Sequence, residues 1–170
     1  MATEFVPGGV ITKASLDDMI YTACPRCYIS MKDQFVSNTG MELPVHCASC
    51  GLTCSQNQLQ FKYRLQLRLV SGSKVVDAML FDEVAEALLG VSALNMKSNL
   101  LFKYPTLPQV LKELLVGLHV SFSFQRPAPK KSKHFQRDLK ITKIEPLIPQ
   151  LLPEPAAKLA INLIDQMQQR

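Results

Sequence analysis

Apolar and polar positions alternate strictly from Phe61 to Leu69. Phe61, Tyr63, Leu65, Leu67 and Leu69 fall on one face, and Lys62, Arg64, Gln66 and Arg68 on the other. A period of two describes a half-buried β-strand, here with a basic outer face. Ser71-Gly72-Ser73 is a turn signal, and Lys74 to Phe81 continues as a second strand, so the two are expected to form a hairpin. Asp82 then offers a side chain that can cap a short helix, with Glu83 in its first turn and Gly90 as its C-terminal stop. A weaker helical pattern runs from about Leu107 to Leu115 behind Pro108 and ends before Gly117. His119 to Phe124 alternates again, and Phe135 to Ile144 reads as a last strand. Phe61, Tyr63, Phe122 and Phe124 are expected in the core. Four prolines (Pro146, Pro149, Pro153, Pro155) make a semi-rigid spacer. The clearest helix spans Ala156 to Gln169, where Leu159, Leu163 and Met167 recur every four residues, flanked by Ala160 and Ile164.

The pattern predicts a mainly β fold of five strands with a helix between the third and fourth, the layout of an OB-fold barrel. On this pattern the chain divides into a barrel unit over 1–145, a proline-rich spacer over 146–155 and a C-terminal helix over 156–170. No apolar run reaches the roughly 18 residues that cross a bilayer, so no membrane role is expected. The first 20 residues carry Asp17 and Asp18 and lack the cationic-then-apolar order of a secretory signal.

Cysteine placement changes the picture most. All five cysteines lie between positions 24 and 54. Four form two knuckles, Cys24-Pro25-Arg26-Cys27 and Cys47-Ala48-Ser49-Cys50, separated by 19 residues. Two residues between cysteines let both thiolates face one ion, and two such turns complete a tetrahedron. The spacing falls in the range of structural zinc sites, and four sulfurs leave no coordination position open for catalysis. One structural Zn2+ is therefore expected, held by Cys24, Cys27, Cys47 and Cys50 in a zinc ribbon of about 22–55 inserted between barrel strands 1 and 2. Cys54 is left as a spare thiol, and His46 is a minor alternative ligand. Asn38-Thr39-Gly40 suggests a turn within the insert.

Charge adds a second feature. The window from Arg126 to Glu145 holds seven basic residues against two acidic ones, an excess equal to the net charge of +5 of the whole chain. Such a concentrated patch suits a polyanionic partner, although a solvated loop would look the same. It falls between barrel strands 4 and 5, one of the two loops from which OB barrels hold oligonucleotides, and the ribbon falls at the other. No Ser/His/Asp set, paired carboxylates or phosphate loop appears, so an enzyme is not expected.

At this point the chain resembles a known family, the zinc-containing, C-terminal DNA-binding domain of the large subunit of replication protein A. The resemblance rests on Tyr21-Thr-Ala-Cys-Pro-Arg-Cys27, Cys47-Ala-Ser-Cys50, Phe61-Lys-Tyr-Arg-Leu-Gln-Leu-Arg68 and Leu80-Phe-Asp-Glu-Val-Ala-Glu-Ala-Leu-Leu-Gly90. It holds in layout from about Ile11 to Ile144, and in detail to Gly90. The first knuckle is more compact than the family's. Shieldin subunit 2, the large subunit of the CST complex and meiotic single-strand-binding proteins share this domain type, and the chain is similar to the shieldin version.

The resemblance implies a non-enzymatic, nuclear, chromosome-associated module that binds single-stranded DNA in DNA replication, DNA repair and the response to DNA damage. Phe81 matches the family's strand-3 aromatic and is the first stacking candidate, with core packing as its alternative; Phe35 is a second. Lys62, Arg64 and Arg68 on strand 2, and Lys130, Lys131, Lys133 and Arg137 in the second loop, are the expected phosphate contacts. In the family, the helix after this domain assembles with other OB-fold subunits. Here Leu159, Leu163, Ile164 and Met167 are the candidates for that role, unless the helix folds back on its own barrel. The competing function is an assembly module in which DNA contact is incidental. The scarcity of aromatics, with no Trp, speaks for it. RNA in place of DNA stays open.

Overall fold

The computed structural model describes residues 2–31, 44–126 and 139–169. Among the described residues, eight strands and five α-helices follow one another as β1 (Thr3–Ser15), β2 (Ile20–Ala23), β3 (Val45–His46), β4 (Thr53–Cys54), β5 (Gln60–Ser71), β6 (Lys74–Phe81), α1 (Asp82–Leu89), α2 (Ala93–Asn95), α3 (Leu101–Lys103), α4 (Leu107–Leu115), β7 (His119–Gln125), β8 (Leu139–Pro146) and α5 (Ala156–Gln168).

Strand pairing closes a barrel. β1 pairs with β5, β5 with β6, β6 with β8, β8 with β7, and β7 returns to β1. All of these pairs are antiparallel except β6–β8. With β2 as the second half of a broken first strand, this is the ring expected of a five-stranded OB-fold barrel. β1 ends its pairing at Ser15↔Gln66, and β2 resumes along the same strand at Ile20↔Tyr63. Between them Leu16 and Met19 turn into the core. The cysteine insert therefore lies between barrel strands 1 and 2, as the spacing predicts.

The alternation read along β5 is the burial pattern observed. Tyr63, Leu65, Leu67 and Leu69 are fully buried, and their polar neighbours face out. Phe122, Phe124, Leu80, Ile11 and Ile141 complete the barrel interior, while Phe61 is only partly buried. Each such aliphatic side chain contributes roughly 1.5–3 kcal/mol by leaving water. The buried Tyr63 hydroxyl donates to the Val91 and Ser92 carbonyls at 2.9 and 3.1 Å, tying β5 to the chain beyond α1. Burial pushes its pKa well above the ordinary phenol range.

Asp82 departs from expectation. It is the first residue of α1 and makes no cap bond within that helix. Its carboxylate instead accepts the Tyr63 N–H at 3.3 Å and pairs with Lys62 at 3.1 Å, because the neighbouring β5 offers a donor and a cation together. A second difference is the helical segment α2–α3, joined by a π-turn over Met96–Leu100, which the sequence pattern does not announce. The last strand is described from Leu139, and residues 135–138 lie outside the described residues, as does the turn signal at Asn38.

Gly90 ends α1 in the left-handed region at φ 82°. A methyl group there would overlap the side chain of Pro155, which stands against it just before α5. Gly90→Ala is expected to destabilise the fold by about 2–4 kcal/mol, from left-handed strain plus overpacking. Urea unfolding of the two proteins checks this.

The C-terminal helix folds back. α5 packs on α4 and α1, with Ala156, Ala157, Ala160 and Ile164 in the barrel's own core cluster. The expected partner-facing stripe is therefore divided, and this is a correction for Ile164. Ile164 is buried, Leu159 is half-buried, and Leu163 and Met167 are 41% and 67% exposed. Three alanines let α5 approach closely, which the bulkier Leu159-Leu163-Met167 row does not. Ile164→Asp is expected to cost about 3 kcal/mol or more by burying an unpaired charge, and Leu163→Asp less than about 1 kcal/mol. Thermal melts of the pair distinguish the two faces. Among the described residues no helix is long and apolar enough to cross a membrane.

Candidate nucleic-acid interface and metal centre

β2 delivers the chain directly into the first knuckle. The Cys24 N–H donates to the Ile29 carbonyl at 3.0 Å, and the Tyr28 N–H to the Cys24 carbonyl at 3.0 Å. The second knuckle repeats this turn at the tip of the β3–β4 hairpin. There the Cys47 N–H donates to Leu52 at 2.8 Å and the Gly51 N–H to Cys47 at 2.9 Å. In both turns the residue after the second cysteine is left-handed, Tyr28 at φ 61° and Gly51 at φ 79°.

The two turns face each other. The sulfurs of Cys24 and Cys50 are 3.6 Å apart, as are those of Cys27 and Cys47, and all four lie within 4.8 Å of one another. Four thiolates around one Zn2+ at about 2.3 Å would stand roughly 3.8 Å apart, so the donor set fits such an ion. Backbone donors tune the sulfurs. The N–H groups of Cys27 and then Arg26 bring the Cys24 thiol down to about 6. The N–H groups of Cys50 and Ser49 lower Cys47 in the same way. The Leu52 N–H favours the Cys50 thiolate, but burial and the three neighbouring sulfurs push Cys50 up to about 11. Four anions at this separation repel, and a dication offsets that repulsion. Cys54 pairs with Val45 across β3–β4 and stays outside the cluster. His46 also stands outside it, sharing a 3.1 Å hydrogen bond with Thr53.

Beside the knuckle lies the outer face of β2, β5, β6 and β8. Register places Tyr21 opposite Lys62, Arg64 opposite Phe81, and Met79 beside Lys140. Lys62 sits 4.9 Å from the centre of the Tyr28 ring. Arg64 sits 5.7 Å from the Tyr21 ring, and Lys140 5.9 Å from the Phe81 ring. Three aromatic rings and three cations therefore alternate across the sheet from the first knuckle to β8. Tyr21 is half-buried, and that burial raises its hydroxyl pKa.

Phe81 is 37% exposed on this face, as a stacking residue requires. The cations expected on β5 differ among themselves. Arg68 binds Asp77 at 2.8 and 3.3 Å, and this pairing holds the Asp77 carboxyl below the usual carboxylate range. Lys62 is paired with Asp82. Arg64 makes no ion pair with a described carboxylate. Phe35, Lys130, Lys131, Lys133 and Arg137 lie outside the described residues. Tyr21, Tyr28 and Lys140 join the face unannounced by the sequence. Only strand register brings Tyr21 and Lys140 beside Arg64 and Phe81, and only the turn of the first knuckle brings Tyr28 to Lys62.

No family model matches the sequence, and no curated protein matches it. Solved structures share its fold. One, yeast RPA bound to single-stranded DNA, aligns over 97% of this chain and 84% of that chain with a TM-score of 0.61 and 18% identity. Another, a replication protein A heterotrimer bound to single-stranded DNA, aligns over 98% of this chain with a TM-score of 0.55 and 15% identity. This chain spans 35% of the length of that second chain.

Proposed function

We propose that this chain is a non-enzymatic single-stranded DNA-binding module with one structural zinc, working within a nuclear DNA repair or replication complex. The observation that carries the proposal is the alternation of Lys62, Tyr21, Arg64, Phe81 and Lys140 on one open sheet face. Rings stack on unpaired bases whatever their identity, and interleaved cations neutralise the phosphates between them. Duplex DNA keeps its bases stacked inside and offers such a face little. The shared fold with structures bound to single-stranded DNA supports this reading. So does the resemblance of the cysteine and strand-2 motifs, which also supports a place among the shieldin-type relatives.

Lys130, Lys131, Lys133 and Arg137 are retained as phosphate contacts on charge alone, and Phe35 as a further stacking candidate on residue type alone. If each of the three lysines meets one phosphate, the triple alanine flattens the single-strand salt slope by about 2. The reading is tested by displacing a labelled oligothymidine of about 30 nucleotides from the zinc-loaded protein. Unlabelled single strands should compete and duplex of the same length should not. Equal competition by duplex would overturn it.

The second reading is an assembly module that holds other OB-fold subunits through α5. The exposure of Leu163 and Met167 beside a docked inner face favours it as a parallel role. An amphipathic helix presents such residues to a partner's groove. Leu163→Asp should then release a partner subunit while leaving DNA affinity intact.

A further inference from the structure

Tyr28 is the one residue other than glycine with a positive φ among the described residues. A side chain in the left-handed region crowds its own backbone, which is why glycine usually holds such positions. The second knuckle supplies an internal control. It makes the same turn with the same hydrogen bonds and places Gly51 at the matching position. The turn itself therefore has no use for a ring. Nor does the core, because Tyr28 is 53% exposed. Its described interaction is with Lys62, whose ammonium stands 4.9 Å from the ring centre and is itself anchored by Asp82 at 3.1 Å. Strain retained at an exposed ring, held by a cation and aligned with further rings, points to a ligand of that ring.

We propose that Tyr28 is a stacking platform for one unpaired nucleobase, and that it carries the DNA path off the barrel onto the first cysteine knuckle. This rests on the single-strand reading above and extends it. The barrel face alone ends at Tyr21 on β2, the strand that runs into Cys24. Tyr28 lies one residue past the knuckle, and Lys62 stands between the two rings, opposite Tyr21 in register and over Tyr28 in space. A strand crossing from Phe81 to Tyr21 meets Lys62 next and then Tyr28. The hydrogen bond from the Tyr28 N–H to the Cys24 carbonyl fixes the ring's position through the same turn that presents the metal ligands. Metal loading thus pre-orders this last base site, while the Phe81–Tyr21 portion rests on the barrel.

The test uses the full chain loaded with zinc, and three proteins: wild type, Tyr28→Gly and Tyr28→Phe. Each is titrated with labelled oligothymidine, and zinc release to a chelator is timed in parallel. Tyr28→Gly should weaken binding about fivefold or more, the lower end of one lost base stack. Tyr28→Phe should stay within about twofold of wild type. Zinc release from Tyr28→Gly should be no faster than from wild type, because glycine relieves the turn. An oligonucleotide carrying 5-iodouracil should photocross-link to Tyr28 in the wild type. Unchanged affinity in Tyr28→Gly overturns the platform while leaving the barrel reading intact, and would assign the ring to a protein contact. Weakened binding with faster zinc release also overturns it, by making the ring a structural part of the knuckle. A wild type that binds no single strand overturns both readings together.

Discussion

Cys47→Ser is expected to abolish zinc binding and unfold the ribbon while the barrel persists. Among its described residues the ribbon has almost no core of its own. Its described sheet is two strands of two residues each, and its described buried residues Ala23, Cys24, Val45 and Cys47 stand apart from the barrel's hydrophobic cluster. Burying one valine, worth roughly 1.5–3 kcal/mol, cannot offset the ordering of two loops. A structural zinc supplies about 10–16 kcal/mol at neutral pH, which becomes folding energy for the segment that holds it. Hydrogen exchange should show lost protection at Cys47, Gly51 and Tyr28, with β5 and β7 unchanged. Zinc content should fall from one per chain to none. A zinc-free protein with a protected ribbon would overturn the structural role of the metal. Loss of protection throughout β5 would show that ribbon and barrel fold as one unit.

Phe81→Ala is expected to weaken single-strand binding by about 1–3 kcal/mol, roughly 5- to 150-fold, without unfolding the barrel. Phe81 sits where β6 passes into α1, with its ring outside and its neighbour Leu80 inside. Its loss removes a stacking surface and little core. The adjacent cations sharpen the expectation. Arg64→Ala should flatten the salt slope by about 0.7, because this guanidinium has no described carboxylate partner. Arg68→Ala should change the slope much less, since Asp77 already neutralises it through two contacts. Asp77→Asn should release Arg68 and strengthen binding. Equal effects of Arg64→Ala and Arg68→Ala would show that the strand does not discriminate between free and paired charge. The path would then lie elsewhere.

Much of the architecture was legible from periodicity and spacing. The alternation along Phe61–Leu69 is the burial observed on β5, and the two cysteine pairs do meet in space. Both signals are local or have a fixed period, so the sequence carries them directly. What was not legible depends on register and on choices between similar surfaces. Tyr21 is an ordinary tyrosine until pairing with β5 places it opposite Lys62. Lys140 is one lysine of a basic window until β8 lies parallel to β6 beside Phe81. Arg68 looks as available as Arg64 until Asp77 appears across the hairpin. Along α5, Leu159, Leu163 and Met167 form the more apolar row and so draw attention. The observed core face is Ala156, Ala160 and Ile164, chosen by close approach to α4 rather than by hydrophobicity. Asp82 has the residue type of a helix cap, yet its carboxylate is taken by Lys62 and the Tyr63 N–H, a tertiary partner that local pattern cannot show.

On the proposed reading, single-stranded DNA lies along the outer face of β2, β5, β6 and β8. An NMR titration of the zinc-loaded protein with oligothymidine tests it most directly, because it reports where the ligand sits as well as whether it binds. Shifts should concentrate at Tyr21, Lys62, Arg64, Phe81 and Lys140, and fade toward Leu163 and Met167 on α5. Saturable shifts confined to α5, or no shifts at low salt, would contradict the claim and leave the barrel as an assembly platform.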